Sequence, residues 1–262
     1  MKHRSFSLMG NLALVNFPDR TLREEKIEFA KSLIDKNRNV KTVLEKSGKF
    51  RGRLRKQETK FLAGINTKEV LYRENGCVFR FNIDETYFSS RLSNERKEIA
   101  EMIKKGDEVL VMFAGVAPFP IVIAKNSEAK MVYSNEINRK ANYYAKENIA
   151  RNKLKEKVEL LPGDIKKVAL RLANKKIKFE DIIMPRPQLK DSFLHEAFML
   201  SKKGTRIVYY DFCKSEEITS KLKMIEEKAK ENKKRIKIKK IKNAGELSPS
   251  KRRIRIDFEV KN

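Results

Sequence analysis

From residue 107 onward, apolar runs of strand length alternate with amphipathic stretches of helix length. DEVLVMFAG predicts a buried strand, PFPIVIAKN a short helix, KMVYSNEI a second strand and NRKANYYAKENIARNKL a long helix. VELLPGD predicts a third strand and FEDIIMPRP a fourth that ends in a proline-locked turn. DSFLHEAFMLSKKG predicts a helix stopped at Gly204, since a glycine past the last periodic residue commonly closes a helix. TRIVYYDF reads as a fifth strand and EEITSKLKMIEEKAKENKK as a helix. The last two segments, RIKIKKIK and KRRIRIDFEV, flank NAGELSPS and alternate basic with apolar positions. Continuous apolar strands separated by helices indicate a parallel sheet covered on both faces. The alternating pair at the end indicates an antiparallel hairpin at the sheet edge, basic on one face.

Residues 1–82 follow a different plan. NLALVNF, KTVLEK, KEVLYRE and CVFRFNI predict short strands around the helix TLREEKIEFAKSLIDKN and the basic segment KFRGRLRKQETK. The expected organisation is a small basic α/β domain over residues 1–82, followed by an α/β doubly wound, Rossmann-like domain over residues 83–262. The chain carries a net charge of +26, with 61 Lys and Arg against 35 Asp and Glu. That excess sits at the ends: residues 1–80 hold 19 basic and 9 acidic groups, residues 201–262 hold 20 and 9, and the middle is nearly balanced. A basic excess of this size marks a polyanion binder, here a nucleic acid. A Lys/Glu-rich thermophile surface would balance its signs instead. No apolar run of about 18 residues exists to span a membrane. Cys77, Cys213, His3 and His195 offer neither a metal-binding spacing nor a disulfide framework. The expected setting is reducing and cytoplasmic.

In a doubly wound sheet, ligands bind beyond the carboxyl ends of the strands, near the switch point. Gly115, after the first of these strands, lets the backbone come close to a ligand. Glu136 ends the second strand, where a carboxylate accepts both ribose hydroxyls. Asp164 follows the third, placed to accept from an adenine amino group. Each alone is commonplace, since strand-end acids often cap helices; in order on successive strands, they indicate an adenosyl cofactor. A nicotinamide cofactor is disfavoured because G-x-G-x-x-G is not satisfied. Five parallel strands ending in a reversed hairpin is also the plan of S-adenosylmethionine-dependent methyltransferases.

The run DETYFSSRLSNERKEIAEMI, with VLVMFAGVAPF, VYSNEIN, LPGD and DIIMPRP, resembles the archaeal and eukaryotic tRNA (guanine-37, ring-nitrogen-1) methyltransferases. Those enzymes read Tyr-Phe-Ser-Pro-Arg-Leu, Glu-Arg and Asp-Met-Phe-Ala-Gly-Val-Gly-Pro-Phe at these places. The resemblance covers nearly the whole chain. It implies S-adenosylmethionine as cofactor and the tRNA anticodon stem–loop as partner; no visible motif requires a metal, and a monomer is expected. It places Glu95 as the base that removes the guanine ring proton, and Arg55 (or Arg53) as the cation facing the exocyclic oxygen. On the residues alone, Glu95 is a helix-surface acid and Arg55 a phosphate contact. Cofactor contacts are implied for Arg91, Phe113, Gly115, Glu136, Asn138, Asp164, Met184 and Pro185, with Arg91 near either the cofactor carboxylate or the target base. RNA contacts are implied for Arg51, Arg53, Arg186, Arg252 and Arg253. Tyr87 and Phe88 either line the site or belong to the core.

Three departures stand out. Val111 replaces the family's aspartate, and Ala117 its second glycine, which narrows the approach to the methionine part of the cofactor. Pro185-Arg186-Pro187 replaces an asparagine-containing turn, removing a side-chain amide and adding a cation. A related group moves the aminocarboxypropyl group of the same cofactor in wybutosine synthesis; its motifs, Phe-Ser-Lys-Gly-Asn and Met-Gly-Tyr-Val-Gly, are not matched by FSSRL and MPRP. The expected activity is therefore methyl transfer to the ring nitrogen 1 of guanosine 37. Aminocarboxypropyl transfer and a catalytically weak RNA-binding pseudo-enzyme are the alternatives.

Overall fold

The computed structural model describes residues 5–48, 57–248 and 250–262. A four-stranded sheet, ordered β1-β2-β3-β4, opens the chain. It comprises β1 (Ser5–Met9), β2 (Leu12–Asn16), β3 (Thr42–Lys46) and β4 (Thr59–Gly64), with α1 (Arg23–Lys36) crossing from β2 to its parallel neighbour β3. Next come the hairpin β5 (Glu69–Glu74) and β6 (Cys77–Asn82), a one-turn 3-10 segment at Ser90–Leu92, and α2 (Ser93–Met102). The remainder runs β7 (Glu108–Val111), α3 (Pro118–Asn126), β8 (Met131–Glu136), α4 (Arg139–Arg151), β9 (Val158–Pro162) and α5 (Ile165–Asn174). It ends with β10 (Phe179–Met184), α6 (Leu194–Met199), β11 (Ser201–Cys213), α7 (Ile218–Glu231), β12 (Ile236–Ser248) and β13 (Lys251–Val260).

The second sheet has seven strands in the order β12-β13-β11-β10-β7-β8-β9. Strands β7 to β11 are mutually parallel, and β13 and β12 close the edge antiparallel. The chain winds β7, β8, β9 in one direction and then returns to place β10 beside β7, so the switch point lies between β7 and β10. The central strands are buried on both faces, with Val109, Leu110, Val111, Ile182 and Ile183 fully enclosed, as their unbroken apolar sequences require. Among the described residues no helix is long and apolar enough to cross a membrane.

Four differences from the sequence expectation have physical causes. Strands β1 and β4 and helix α5 were not anticipated. The expected helix over 191–204 is confined to Leu194–Met199. Strand β11 starts at Ser201 because the Thr205 hydroxyl donates to the Phe179 carbonyl at 2.6 Å and accepts from the Lys202 amide, restarting the ladder. Gly204 (φ +89) is therefore no helix stop but lies in a bulge where pairing jumps from Phe179↔Ser201 to Asp181↔Arg206. The expected loop NAGELSPS is mostly the bulged end of β12. Finally, β13 does not keep its basic residues on one outer face: Arg255 is fully buried, forked onto Asp257.

At the opposite end of the sheet from the switch-point cleft, Asp181 is also buried. Burial pushes its carboxyl up to about 7, against Arg206 at 2.6 Å, and a hydrogen bond shared with Asp107 adds to the rise. A carboxyl raised in the folded state favours folding most when protonated. Stability is thus fully present below pH ~4 and is lost as pH rises towards about 7. The stability difference between wild type and Asp181→Asn, followed by urea denaturation, is expected to change by a few kcal/mol between pH 4 and pH 8, with wild type losing ground as pH rises. A pH-independent difference would refute this assignment.

Candidate active site

The loop after β7 turns sharply into α3. Phe113, Gly115 and Ala117 all take left-handed backbone conformations, with φ of 60°, 60° and 65°. At Gly115 an added Cβ would sit 3.2 Å from the Tyr87 carbonyl oxygen, so a side chain there would be both strained in conformation and tight in space. The Gly115 amide donates to Glu136 Oε2 at 2.8 Å, and the Asn138 amide donates to Oε1 at 2.7 Å. Glu136, at the end of β8, is thereby fixed by backbone from two loops. Gly115→Ala is expected to cost about 1–2 kcal/mol, read as a lowered thermal midpoint.

These residues converge on a pocket of about 670 Å³, mouth included, beyond the carboxyl ends of β7, β8 and β10. Phe113, Gly115, Glu136, Asn138 and Pro185 line it, and Tyr87, Ile165, Pro187 and Leu189 add apolar walls. One carboxylate among apolar and aromatic walls suits an adenosyl group: a ribose diol for Glu136 and flat surfaces for a purine. Asn138 also caps α4 through the Lys140 amide and donates to the Glu85 carbonyl. Asp164 caps α5, accepting from the Lys166 amide at 3.0 Å, while its neighbours Gly163 and Ile165 form the pocket wall. Met184 is fully buried behind Pro185, and its carbonyl accepts from the Arg186 amide. Ala117 is fully buried in the core and is not among the lining residues, so its methyl is not what narrows the pocket.

A second, larger groove adjoins the first through Tyr87, which lines both. Its walls combine Phe81, Phe88 and Phe212 with Arg91, Arg253 and Lys46. The structure therefore puts Arg91 on this groove rather than among the residues lining the cofactor-shaped pocket. Arg253 lies over the Phe212 ring at 4.9 Å, and Arg252 is exposed at the start of β13. Phe88 is both wall and core, stacked on Phe81 at 4.7 Å. Arg51, Arg53 and Arg55 lie outside the described residues.

Glu95 lines neither cavity. On α2 it is buried and accepts from the Tyr210 hydroxyl at 2.8 Å, with Lys242 Nζ at 2.7 Å and Arg255 Nη1 at 3.3 Å. Its burial, with Glu95 beside it, holds the Tyr210 hydroxyl well above its ordinary pKa, so that group donates. Lys242 and Arg255 also bind Glu98, joining α2 to the terminal hairpin. The next residue, Arg96, faces the other way, forked onto Glu74. Sequence reasoning missed Arg96 and Arg255 because Glu74, and Glu95 with Glu98, lie far from them along the chain. Arg186 requires a correction: it is 3% exposed, with Nη1 and Nη2 bonded within the protein and Nε buried without a partner among the described residues, and is not available to RNA.

A model described as the TRM5/TYW2 methyltransferase domain matches residues 70–238, and one described as the TYW2 N-terminal domain matches residues 2–67. The chain belongs to the TRM5/TYW2 methyltransferase family. A Pyrococcus abyssi protein named tRNA (guanine(37)-N(1))-methyltransferase Trm5b is 35% identical across 79% of this chain and 60% of its own length. The chain thus spans less than two thirds of that relative. The crystal structure of Trm5b from P. abyssi superposes with a TM-score of 0.86 at 32% identity, over 98% of this chain and 75% of that one. A Nanoarchaeum equitans protein named tRNA (guanine(37)-N(1))/4-demethylwyosine(37)-methyltransferase Taw22 is 29% identical over 97% of this chain and 99% of its own. The structure of Methanocaldococcus jannaschii Trm5 in complex with adenosine has a TM-score of 0.81 at 28% identity, covering 98% of this chain and 74% of that one.

Proposed function

We propose that the protein transfers a methyl group from S-adenosylmethionine to the ring nitrogen 1 of guanosine 37 in the tRNA anticodon loop. The observation that carries this reading is the pair of cavities sharing Tyr87: one shaped for an adenosyl group, the other aromatic and cationic, as a splayed-out base and its phosphates need. S-adenosylmethionine supplies an electrophilic methyl carbon on a sulfonium. The chain's residues do the rest. Glu136 orients the ribose, and Gly115 lets the backbone come close. Tyr87, with the edges of Phe88 and Phe212, walls the groove for a nucleobase, while Arg91, Arg253 and Arg252 meet phosphates. Nitrogen 1 of guanine carries a proton, which must leave as the new bond forms. The family resemblance assigns Glu95 as its acceptor and Arg55 as the cation facing the exocyclic oxygen. The acceptor role requires the Glu95 side chain to leave Tyr210, Lys242 and Arg255 and turn towards the groove when RNA binds. The small basic domain, residues 1–82, and the terminal hairpin hold the anticodon stem–loop.

The Nanoarchaeum relative, matched along nearly its full length, supports a second acceptor at the same position, the tricyclic base 4-demethylwyosine. Both readings meet one experiment. Transcripts with guanosine or adenosine at position 37, and tRNA carrying 4-demethylwyosine, are incubated with labelled cofactor, digested and analysed by nucleoside mass spectrometry. Monomethylated guanosine from the first transcript only is expected. An aminocarboxypropyl adduct, or no product from either acceptor, overturns the methyltransferase reading. Binding of RNA should also weaken steeply between 50 and 200 mM salt.

A further inference from the structure

The loop after β10 departs most clearly from the family pattern, and its central arginine points inward. Pro185 and Pro187 fix the backbone on either side, and the Arg186 amide closes a tight turn onto the Met184 carbonyl at 2.7 Å. The guanidinium then reaches three acceptors. Nη1 donates to Asp211 Oδ1 at 2.5 Å, while Nη2 donates to the carbonyls of Leu189 and Asp191 at 2.6 Å each. It also lies over the Tyr209 ring, 5.5 Å from the centroid. Asp211 is anchored from β11 and is shared with Lys221 of α7; Asp191 is tied to Lys166 of α5. Arg186 is therefore the knot through which β11, α7 and α5 hold residues 185–191. Pro185, Pro187 and Leu189 from that stretch form one wall of the adenosyl-shaped pocket.

We infer that Arg186 is a positioning residue for the cofactor: by fixing Pro185, Pro187 and Leu189 from behind, it sets the wall against which the cofactor binds. This rests on the cofactor reading above, but not on any assignment of the base or the RNA contacts. The planar fork matters rather than the charge, because two carbonyls and a carboxylate lie in directions that one guanidinium can meet and one ammonium cannot.

Arg186→Lys and Arg186→Met separate these roles. Titration calorimetry with S-adenosylmethionine should show both variants binding on the order of ten- to a hundredfold more weakly than wild type, the range expected for losing charged hydrogen bonds. Affinity for an anticodon stem–loop RNA should stay within about twofold, which also reports that the variants are folded. Retained cofactor affinity in Arg186→Lys with loss in Arg186→Met assigns the role to charge and overturns the inference. So does a fall in RNA affinity with unchanged cofactor affinity. If wild type itself binds no S-adenosylmethionine, the cofactor reading fails and not merely the role of Arg186. Should both variants fail to fold, amide hydrogen exchange on cofactor-free wild type decides. The Arg186 and Phe193 amides, bonded to the Met184 carbonyl and the Asp191 carboxylate, are expected to be protected; exchange at the free-peptide rate overturns the inference.

Discussion

Glu95→Gln is expected to slow single-turnover methyl transfer by about 10²–10⁴-fold, the usual contribution of a positioned general base. Cofactor affinity should be unchanged, because Glu95 does not line the pocket that holds Glu136 and Gly115. The substitution keeps the size and one oxygen acceptor of the side chain, so the Tyr210 hydroxyl retains its partner. What disappears is the negative charge facing Lys242 and Arg255, and those cations keep Glu98 and Asp257. The loss is thus weighted towards chemistry rather than folding. Equilibrium unfolding alongside the rate separates the two: a lowered rate at full stability identifies the base. An unchanged rate would instead make Glu95 the α2 end of an ionic strut to the terminal hairpin.

The largest stability effect is expected at Glu74→Ala. Glu74 on β5 and Arg96 on α2 form a forked pair, with Nε–Oε1 at 2.5 Å and Nη2–Oε2 at 2.6 Å, and both side chains are almost wholly buried. Arg96 also donates to the Ser89 carbonyl and lies against the rings of Phe88 and Phe119. Removing the carboxylate leaves a guanidinium enclosed without a counter-ion, a loss of about 3–5 kcal/mol. Urea denaturation should show the midpoint falling with little change in slope. Replacing both residues together, Glu74→Met with Arg96→Met, should recover most of that loss, because an apolar pair carries no desolvation penalty. A double variant as unstable as the single one would show that the pair contributes more than charge compensation.

The parallel strands of the second sheet were legible because strands buried on both faces must be continuously apolar, and LVLV-like runs have few other uses. Gly115, Glu136 and Asp164 were read for a related reason: a doubly wound sheet puts strand ends at its cleft, so their order along the chain is also their arrangement in space, although Asp164 itself caps α5 and its neighbours Gly163 and Ile165 form the wall. The unread elements lack such a signal or were passed over. Strand β1 is exposed along nearly its whole length, so no apolar run marks it. Helix α5 does carry the pattern, with Ile165, Val168, Ala169 and Leu172 on one buried face, but it follows directly on the strand end at Asp164. The buried cations were beyond reach of sequence reasoning. Arg186, Arg96 and Arg255 look like surface charges until the fold brings Asp211, Glu74 and Glu95 to them, and a basic chain offers many lookalikes.

Tyr87 belongs to both cavities at once, its side of one being its side of the other. A ligand that moves the residue in either compartment would remodel the neighbouring one and so couple the two binding equilibria. Thermodynamic linkage makes the effect reciprocal: whatever factor one ligand applies to the affinity of the other is returned in full. With that coupling, an affinity measured for either ligand alone would describe a half-filled molecule, and the working value would belong to the doubly filled one.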